Sequence, residues 1–183
     1  MADETASSGN AGSFEQVVLP HLDAAFNLAR WLVRNSHDAE DIVQESYLRA
    51  FKFFGGYQGG NARAWLLKIV RNTSYSFLQT NRPADLGVEF DETLHTPDAA
   101  QLNAEASLLA AADSRTVREA LERLPVHFRE IVILRELEGM SYKEIAATTE
   151  VPIGTVMSGL ARARAQLKKD LLRAKEREEH RGV

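Results

Sequence analysis

Apolar residues along the chain recur at three- and four-residue intervals, the spacing that gathers side chains on one face of an α-helix. Phe14, Val17, Val18, Leu22, Ala25, Phe26, Ala29, Leu32 and Val33 form the first such stripe. Pro20 interrupts it and predicts a kink or a restart, because proline lacks the N–H that a helix interior uses. Ser36 is the expected N-cap of a second helix, with Asp38 and Glu40 in the first turn, where the helix dipole favours negative charge. Ile42, Val43, Tyr47, Ala50 and Phe54 lie along one side of it, and the glycines of "FFGGYQGG" stop it. Asn61 caps a third helix, whose apolar set is Trp65, Leu66, Ile69, Val70, Thr73, Phe77 and Leu78.

After Pro83 the periodicity fades. Residues 83–96 read as linker, and Thr96-Pro97 is an N-cap followed by proline at the first helical position, which predicts a helix over 97–112. Periodicity returns in a helix over 114–123 and another over 126–138, with Gly139 at its C′ position. Ser141-Tyr142-Lys143-Glu144 is a capping box that starts a short helix to Thr148. Val151-Pro152 makes a turn, and a last helix runs over 153–175. Period-two alternation is missing, so no strand is predicted. The expected fold is all-α, two small helical domains joined by a flexible acidic linker, with a helix-turn-helix in the second. Its bounds are a disordered N-terminus at 1–12, a domain at 13–82, the linker at 83–112, a domain at 113–177 and a tail at 178–183.

Charge sharpens this division. The net charge is −4, which by itself argues against a nucleic-acid partner, but the distribution is uneven. Residues 61–82 hold Arg63, Lys68, Arg71 and Arg82 and no acid, whereas 83–112 hold only acids. Residues 162–177 are again basic, with Arg162, Arg164, Lys168, Lys169, Arg173, Lys175 and Arg177 against Asp170 and Glu176. Two basic segments separated by an acidic one point to distinct partners for distinct segments. Apolar residues make up 44% of the chain, enough for a core, and the cysteine count of 0 excludes disulfides, thiolate metal sites and cysteine nucleophiles. The polar N-terminus is not a secretory signal, and the apolar runs are too short to span a bilayer. The expectation is a soluble cytoplasmic protein without membrane insertion.

Residues 126–175 carry the strongest constellation: a helix ending at glycine, a short helix, a tight turn and a long basic helix. Ile145, Ala146, Val151, Val156 and Leu160 are placed to lock the two helices together, and Gly154 and Thr155 bring N–H groups and a hydroxyl to a helix N-terminus suited to phosphate. The plain alternative is a helical hairpin with solvated arginines. Near the front, Asp38, Asp41 and Glu45 share a helix face, with Gln44 beside them; from spacing alone a solvated acidic face is the stronger reading. No histidine stands at metal-ligand spacing to them. The five histidines are scattered, and no phosphate-binding loop or nucleophile motif is present, so catalysis finds no support and no cofactor is expected.

"LEGMSYKEIAATTEVPIGTVMSGLARARAQL" resembles the promoter-reading C-terminal domain of bacterial sigma-70 family RNA polymerase sigma factors, of the extracytoplasmic-function group. "DAEDIVQESYLRAF" and "ARAWLLKIVRNTSYSFLQTNR" resemble the other domain of that group, in its order and spacing. The resemblance implies a factor that binds core RNA polymerase, through the β′ clamp helices and the β flap, and directs it to promoter DNA. Asp38, Asp41, Gln44 and Glu45 would dock on the clamp helices. Arg63, Lys68, Arg71 and Arg82 would contact phosphates at the −10 element, Asn72 would lie at the pocket for a flipped base, and Tyr75 would stack on a base. Trp65 and Phe77 read as core. Many relatives carry arginine near Met157 and Gly159; without it, −35 reading falls to Ile153, Thr155, Ser158 and Arg162, with Arg164 and Lys168 on phosphates. The linker would thread the polymerase cleft, and an anti-sigma factor would regulate a protein that is monomeric when free and binds DNA weakly alone. The rivals are a self-sufficient helix-turn-helix regulator and a helical adaptor that mimics a sigma factor.

Overall fold

Side-chain caps set where the helices begin. The computed structural model describes residues 13–86 and 114–181. The expectations for residues 1–12, for the acidic stretch from residue 87 and for a helix over 97–112 lie outside the described residues. Ser13 and Gln16 form a reciprocal capping box that starts α1 (Phe14–Val18). Pro20 falls in a 3-10 turn, Leu19–His21, and the chain restarts as α2 (Leu22–Val33), as the proline predicts. α2 ends at Arg34 in the left-handed region, with φ 56°. That turn leaves Asn35 extended, so the cap of α3 (Ser36–Phe53) is Asn35 rather than the expected Ser36: the Asp38 N–H donates to Asn35 Oδ1 at 3.0 Å. Ser36 is instead the first helical residue, and its hydroxyl accepts from Arg30 Nε at 3.0 Å. Asn61 caps α4 (Ala62–Asn81) by accepting from the Ala64 N–H, as expected.

α2, α3 and α4 pack as a bundle around Leu28, Leu32, Ile42, Leu66, Leu67, Val70 and Leu78, all buried. Thr73 and Ser74 are buried as well, and each hydroxyl donates to the carbonyl four residues back, Ile69 and Val70, whereas the buried Ser46 hydroxyl on α3 has no partner. Trp65 packs partly buried against Phe54 and Tyr57, in keeping with a core role. The expected linker begins with structure: Pro83–Leu86 form a 3-10 turn, Asp85 pairs with Arg34 at 2.9 Å and Leu86 packs on the core. Residues 83–86 therefore belong to the first unit physically.

The second unit runs α5 (Ser114–Arg123), α6 (Val126–Val132), a π-helical turn (Ile133–Leu137), α7 (Tyr142–Thr149) and α8 (Ile153–Arg181). The single helix expected over 126–138 thus widens halfway: the Glu138 N–H donates to the Ile133 carbonyl, five residues back, at 3.0 Å. Gly139 at φ +62° then closes it, with the Met140 N–H reaching the Leu134 carbonyl at 3.0 Å. Ser141 and Glu144 make the expected capping box. Ile145, Val156 and Leu160 are buried between α7 and α8, as their spacing predicts. α8 is longer than expected, since helix continues through residues 178–181 where a tail is predicted. Leu121, Leu124, Val132, Ile133, Leu134, Leu167 and Leu171 complete this core. The two units pack on each other, α4 against α7 and α2 against α6.

A Cβ at Gly139 would meet nothing within 4 Å, so its requirement is conformational rather than steric. Gly139→Ala is expected to cost about 1 kcal/mol through the left-handed backbone. Ser141→Ala is expected to cost about 1 kcal/mol through the lost cap. Urea denaturation followed by circular dichroism measures both.

Candidate nucleic-acid interface

α4 carries the basic segment singled out above. Lys68, Arg71 and Tyr75 recur at three- and four-residue steps, so they share one face, and Arg63 sits in the first turn. This face does not look into solvent; it meets the second unit. Lys68 Nζ lies 2.9 Å from Glu150 Oε1, and Arg63 pairs with Glu138. Asn61 Nδ2 donates to Glu144 Oε1 at 2.7 Å. At the centre, Glu130 takes Arg71 and Tyr75 together: Arg71 Nε is 2.7 Å from Oε1, and the Tyr75 hydroxyl donates to Oε2 at 2.8 Å. The Arg71 guanidinium also lies over the Tyr75 ring, 4.5 Å from its centroid.

Glu130 is only 2% exposed. Burial pushes its carboxyl above the usual range, while Arg71 and the Tyr75 hydrogen bond pull it back down. Burial, and then the Glu130 charge, hold the Tyr75 phenol well above its ordinary value of 10.0. Beside Glu130, Arg129 is equally buried; its guanidinium donates to the Glu122 and Leu124 carbonyls and crosses to Leu32 O at 3.2 Å. Leu32 lies in the last turn of α2, whose carbonyls have no partner within the helix, so Arg129 caps α2 from the other unit. Burial, and next the nearby Arg34, lower the Arg129 guanidinium to about 10, which leaves it charged at neutral pH.

Two predicted residues have other neighbours. Arg82, expected on phosphate, donates to the Val33 carbonyl at 2.8 Å and pairs with Asp38. Asp38, expected on the docking face, is half-buried in that pair, so both tie α4 to the α2–α3 corner. Asn72 is exposed and accepts from Arg71 Nη1 at 3.3 Å. Phe77 is partly buried against the core, with the Arg82 guanidinium near its ring. On α3, Asp41, Gln44 and Glu45 are exposed, Glu45 within reach of Arg49. Leu48 and Phe51 continue the same face and are 72% and 64% exposed. With Phe14 and Tyr47 they line an apolar groove beside Gln44. Sequence reasoning passed over Leu48 and Phe51; the signal was large apolar residues in phase with the acids on the polar side of an amphipathic helix.

At the start of α8, Ile153, Gly154 and Met157 are exposed and Thr155 and Ser158 half-buried. The Ser158 hydroxyl donates to the Thr155 carbonyl. Gly159 is buried, so it faces the packing between helices rather than the open side that Ile153 and Met157 share. Arg164 pairs with Glu136 at 2.6 Å, and Arg162 and Lys168 are half-buried. Among the described residues no cluster of histidines and carboxylates could hold a metal ion, and no helix is long and apolar enough to cross a membrane.

The chain matches two family profiles, Sigma-70 region 2 over residues 17–83 and Sigma-70 region 4 over residues 114–167. The RNA polymerase sigma-H factor of Pseudomonas aeruginosa is 31% identical over 92% of this chain and 91% of its own length. The ECF RNA polymerase sigma-E factor of Escherichia coli K12 is 32% identical over 88% of this chain and 87% of its own length. The chain is an ECF RNA polymerase sigma factor. It spans 64% of the length of ECF sigma factor SigE from Mycolicibacterium smegmatis, at 35% identity over 91% of the chain. Among solved structures, the sigma factor RpoE in complex with the anti-sigma factor NepR from Bartonella quintana superposes with TM-score 0.67 and 29% identity, over 88% of this chain and 98% of that one. CnrH in complex with the cytosolic domain of CnrY superposes with TM-score 0.57 and 27% identity, over 91% and 92%. Each superposition covers more of the chain than one domain contains.

The Tyr75 phenol gives this packing a spectroscopic handle. Of the 4 tyrosines it is expected to ionise last in an ultraviolet titration, and Tyr75→Phe is expected to remove that late step. Because its value is raised when the domains are packed, its contribution is full below the ordinary tyrosine range and is lost as pH climbs through the raised value.

Proposed function

We propose that this sigma factor docks on core RNA polymerase through the α3 face of Asp41, Gln44, Glu45, Leu48 and Phe51, reads the −10 element with α4, and reads the −35 element with the first turns of α8. The observation that carries this reading is the separation of chemistries: an acidic and apolar face on α3, a cationic and aromatic face on α4, and an open helix N-terminus on α8. Acids that flank exposed apolar side chains suit a protein partner, because the apolar centre supplies the affinity and the charges set orientation. Arg63, Lys68, Arg71 and Tyr75 suit a single strand, since cations follow the backbone and a ring stacks on a base. Asn72, exposed beside them, has the donors and the acceptor to read a base edge. The Gly154 N–H and the Thr155 and Ser158 hydroxyls suit backbone and base contacts in a groove, the Thr155 N–H being held by the Pro152 carbonyl, with Arg162, Arg164 and Lys168 further along for phosphates.

The factor positions and opens DNA, and the polymerase performs the chemistry; the factor works in the cytoplasm, as a monomer when free, with the β′ clamp helices and the β flap as its contacts. An anti-sigma factor is the inferred regulator, because the chain is similar over most of its length to sigma factors solved with NepR and CnrY.

Run-off transcription with core polymerase tests the reading. Wild type is expected to start transcripts at a defined site. Asp41→Arg is expected to weaken core binding about tenfold or more, since a reversed charge meets a partner shaped for the acid. Helical content should stay unchanged, because Asp41 is exposed. Normal core binding by Asp41→Arg would overturn the docking assignment. Asn72→Ala is expected to keep core binding and reduce strand opening about tenfold, from one lost base contact.

A further inference from the structure

Residues 153–161, the first turns of α8, contain no charged side chain; the first is Arg162, half-buried in the third turn. The side chains that reach the open side of these turns are Ile153 and Met157, 49% and 46% exposed. They stand four residues apart and share one helix face, with the half-buried Thr155 and Ser158 on its flanks. Guanine is read with a guanidinium or an ammonium, and adenine with a carboxamide. Neither kind of group stands on this face. We propose that Ile153 and Met157 are base-specificity residues that read thymine methyl groups, so that the −35 element selected by this factor is marked by thymines in its major groove. The inference rests on the reading of the first turns of α8 as the −35 surface.

The chemistry of the base edges makes the choice. Thymine presents a C5 methyl beside the O4 acceptor, cytosine presents the N4 donor without a methyl, and both purines present the N7 acceptor. An apolar side chain laid over N7 or N4 takes that group out of water and returns no hydrogen bond, which is unfavourable. Laid over a methyl, it buries apolar surface on both partners. Thymine is thus accepted and the other bases rejected by the same two side chains. The O4 acceptor is answered from the flank: the Ser158 hydroxyl, which donates to the Thr155 carbonyl at 3.2 Å in the free protein, can turn to the base. Four residues advance the helix by about 6 Å, close to two base steps of about 3.4 Å, so the pair spans one short run of thymines. Ile153 is stiff at χ1 and fixes the register, whereas the unbranched Met157 adapts to the second methyl. The patch is two side chains wide and lies on the N-terminal turns of the second helix of a helix-turn-helix, the end that this motif delivers to the major groove.

The test uses holoenzyme assembled from the full chain and core polymerase. Run-off transcription selects templates from a pool randomised across the promoter, and thymine, on either strand, is expected to dominate at two nearby positions of the −35 region. The selected template is then remade with deoxyuridine at those positions, which removes the methyl groups and keeps every hydrogen-bonding group. Wild-type holoenzyme is expected to bind the uracil template about fourfold more weakly per methyl removed, measured by mobility shift. In Met157→Ala the loss at one position is expected to vanish, and in Ile153→Ala the loss at the other. Equal binding of the thymine and uracil templates by wild type would overturn the proposal, as would selection of any other base at those positions. Both of these outcomes are read on wild type, so they stand even where a variant fails to fold. Weakened core binding by Met157→Ala, with its sensitivity to uracil unchanged, would assign the patch to the polymerase and overturn the proposal as well. Transcripts from a defined site with no base preference in the −35 region would instead defeat the reading of α8 as the −35 surface, and the methyl contacts with it.

Discussion

A carboxylate as deeply buried as Glu130 is tenable only with its charge answered at close range. Arg71 and Tyr75 answer it from across the domain boundary, so neither domain's surface is electrostatically complete without the other. Arg129, next in the chain, makes the same demand with opposite sign: its two terminal nitrogens donate to the Glu122, Leu124 and Leu32 carbonyls, the last at the end of α2, while Nε stays buried without a partner. One turn of α6 thus places a buried anion and a buried cation side by side, and each reaches into region 2. Of the remaining contacts, Glu150 with Lys68 is exposed and adds charge complementarity more than stability, whereas Glu138 is 5% exposed and depends on Arg63 as Glu130 does on Arg71.

This arrangement shows how a chain with net charge −4 carries a cationic helix face. The positive face of α4 exists, but in the packed form it is neutralised from within. The acids that give the protein its negative balance lie partly opposite those cations. The same economy appears at Arg82 and Asp38, which a linear reading assigns to different partners and which bond to each other at the corner of α2, α3 and α4. A charged residue near a binding motif can belong to the scaffold that holds the motif in place.

The apolar side of α3 completes the picture. Leu48 and Phe51 cost free energy while they face water, a state that persists in a folded surface when a partner covers it. Their phase with Asp41 and Gln44 joins acid and apolar groups in one patch. The patch and the α4 face lie on neighbouring helices of a single bundle, so a partner seated on the first and a strand lying on the second keep a fixed separation.

Local chemistry was legible in the sequence to the extent that it depends on near neighbours. Helical periodicity, the break at Pro20, the cap at Asn61, the turn at Gly139 and the Ser141–Glu144 box all follow from interactions within a few residues, and the family resemblance rests on those same segments. The errors were also local: Asn35 rather than Ser36 caps α3 because the left-handed Arg34 turns the chain one residue earlier. The π turn at Ile133–Leu137 left no periodic signature, since it closes the helix just before Gly139 and no later turn displays the one-residue shift it introduces. What the sequence could not determine is which charges meet. Glu130 and Arg71, or Glu138 and Arg63, are separated by more than fifty positions, and pairing across that distance depends on how two cores set their helices against each other. Composition and spacing determined two helical domains and the surfaces they could offer; only the tertiary packing decided which of those surfaces the protein covers itself.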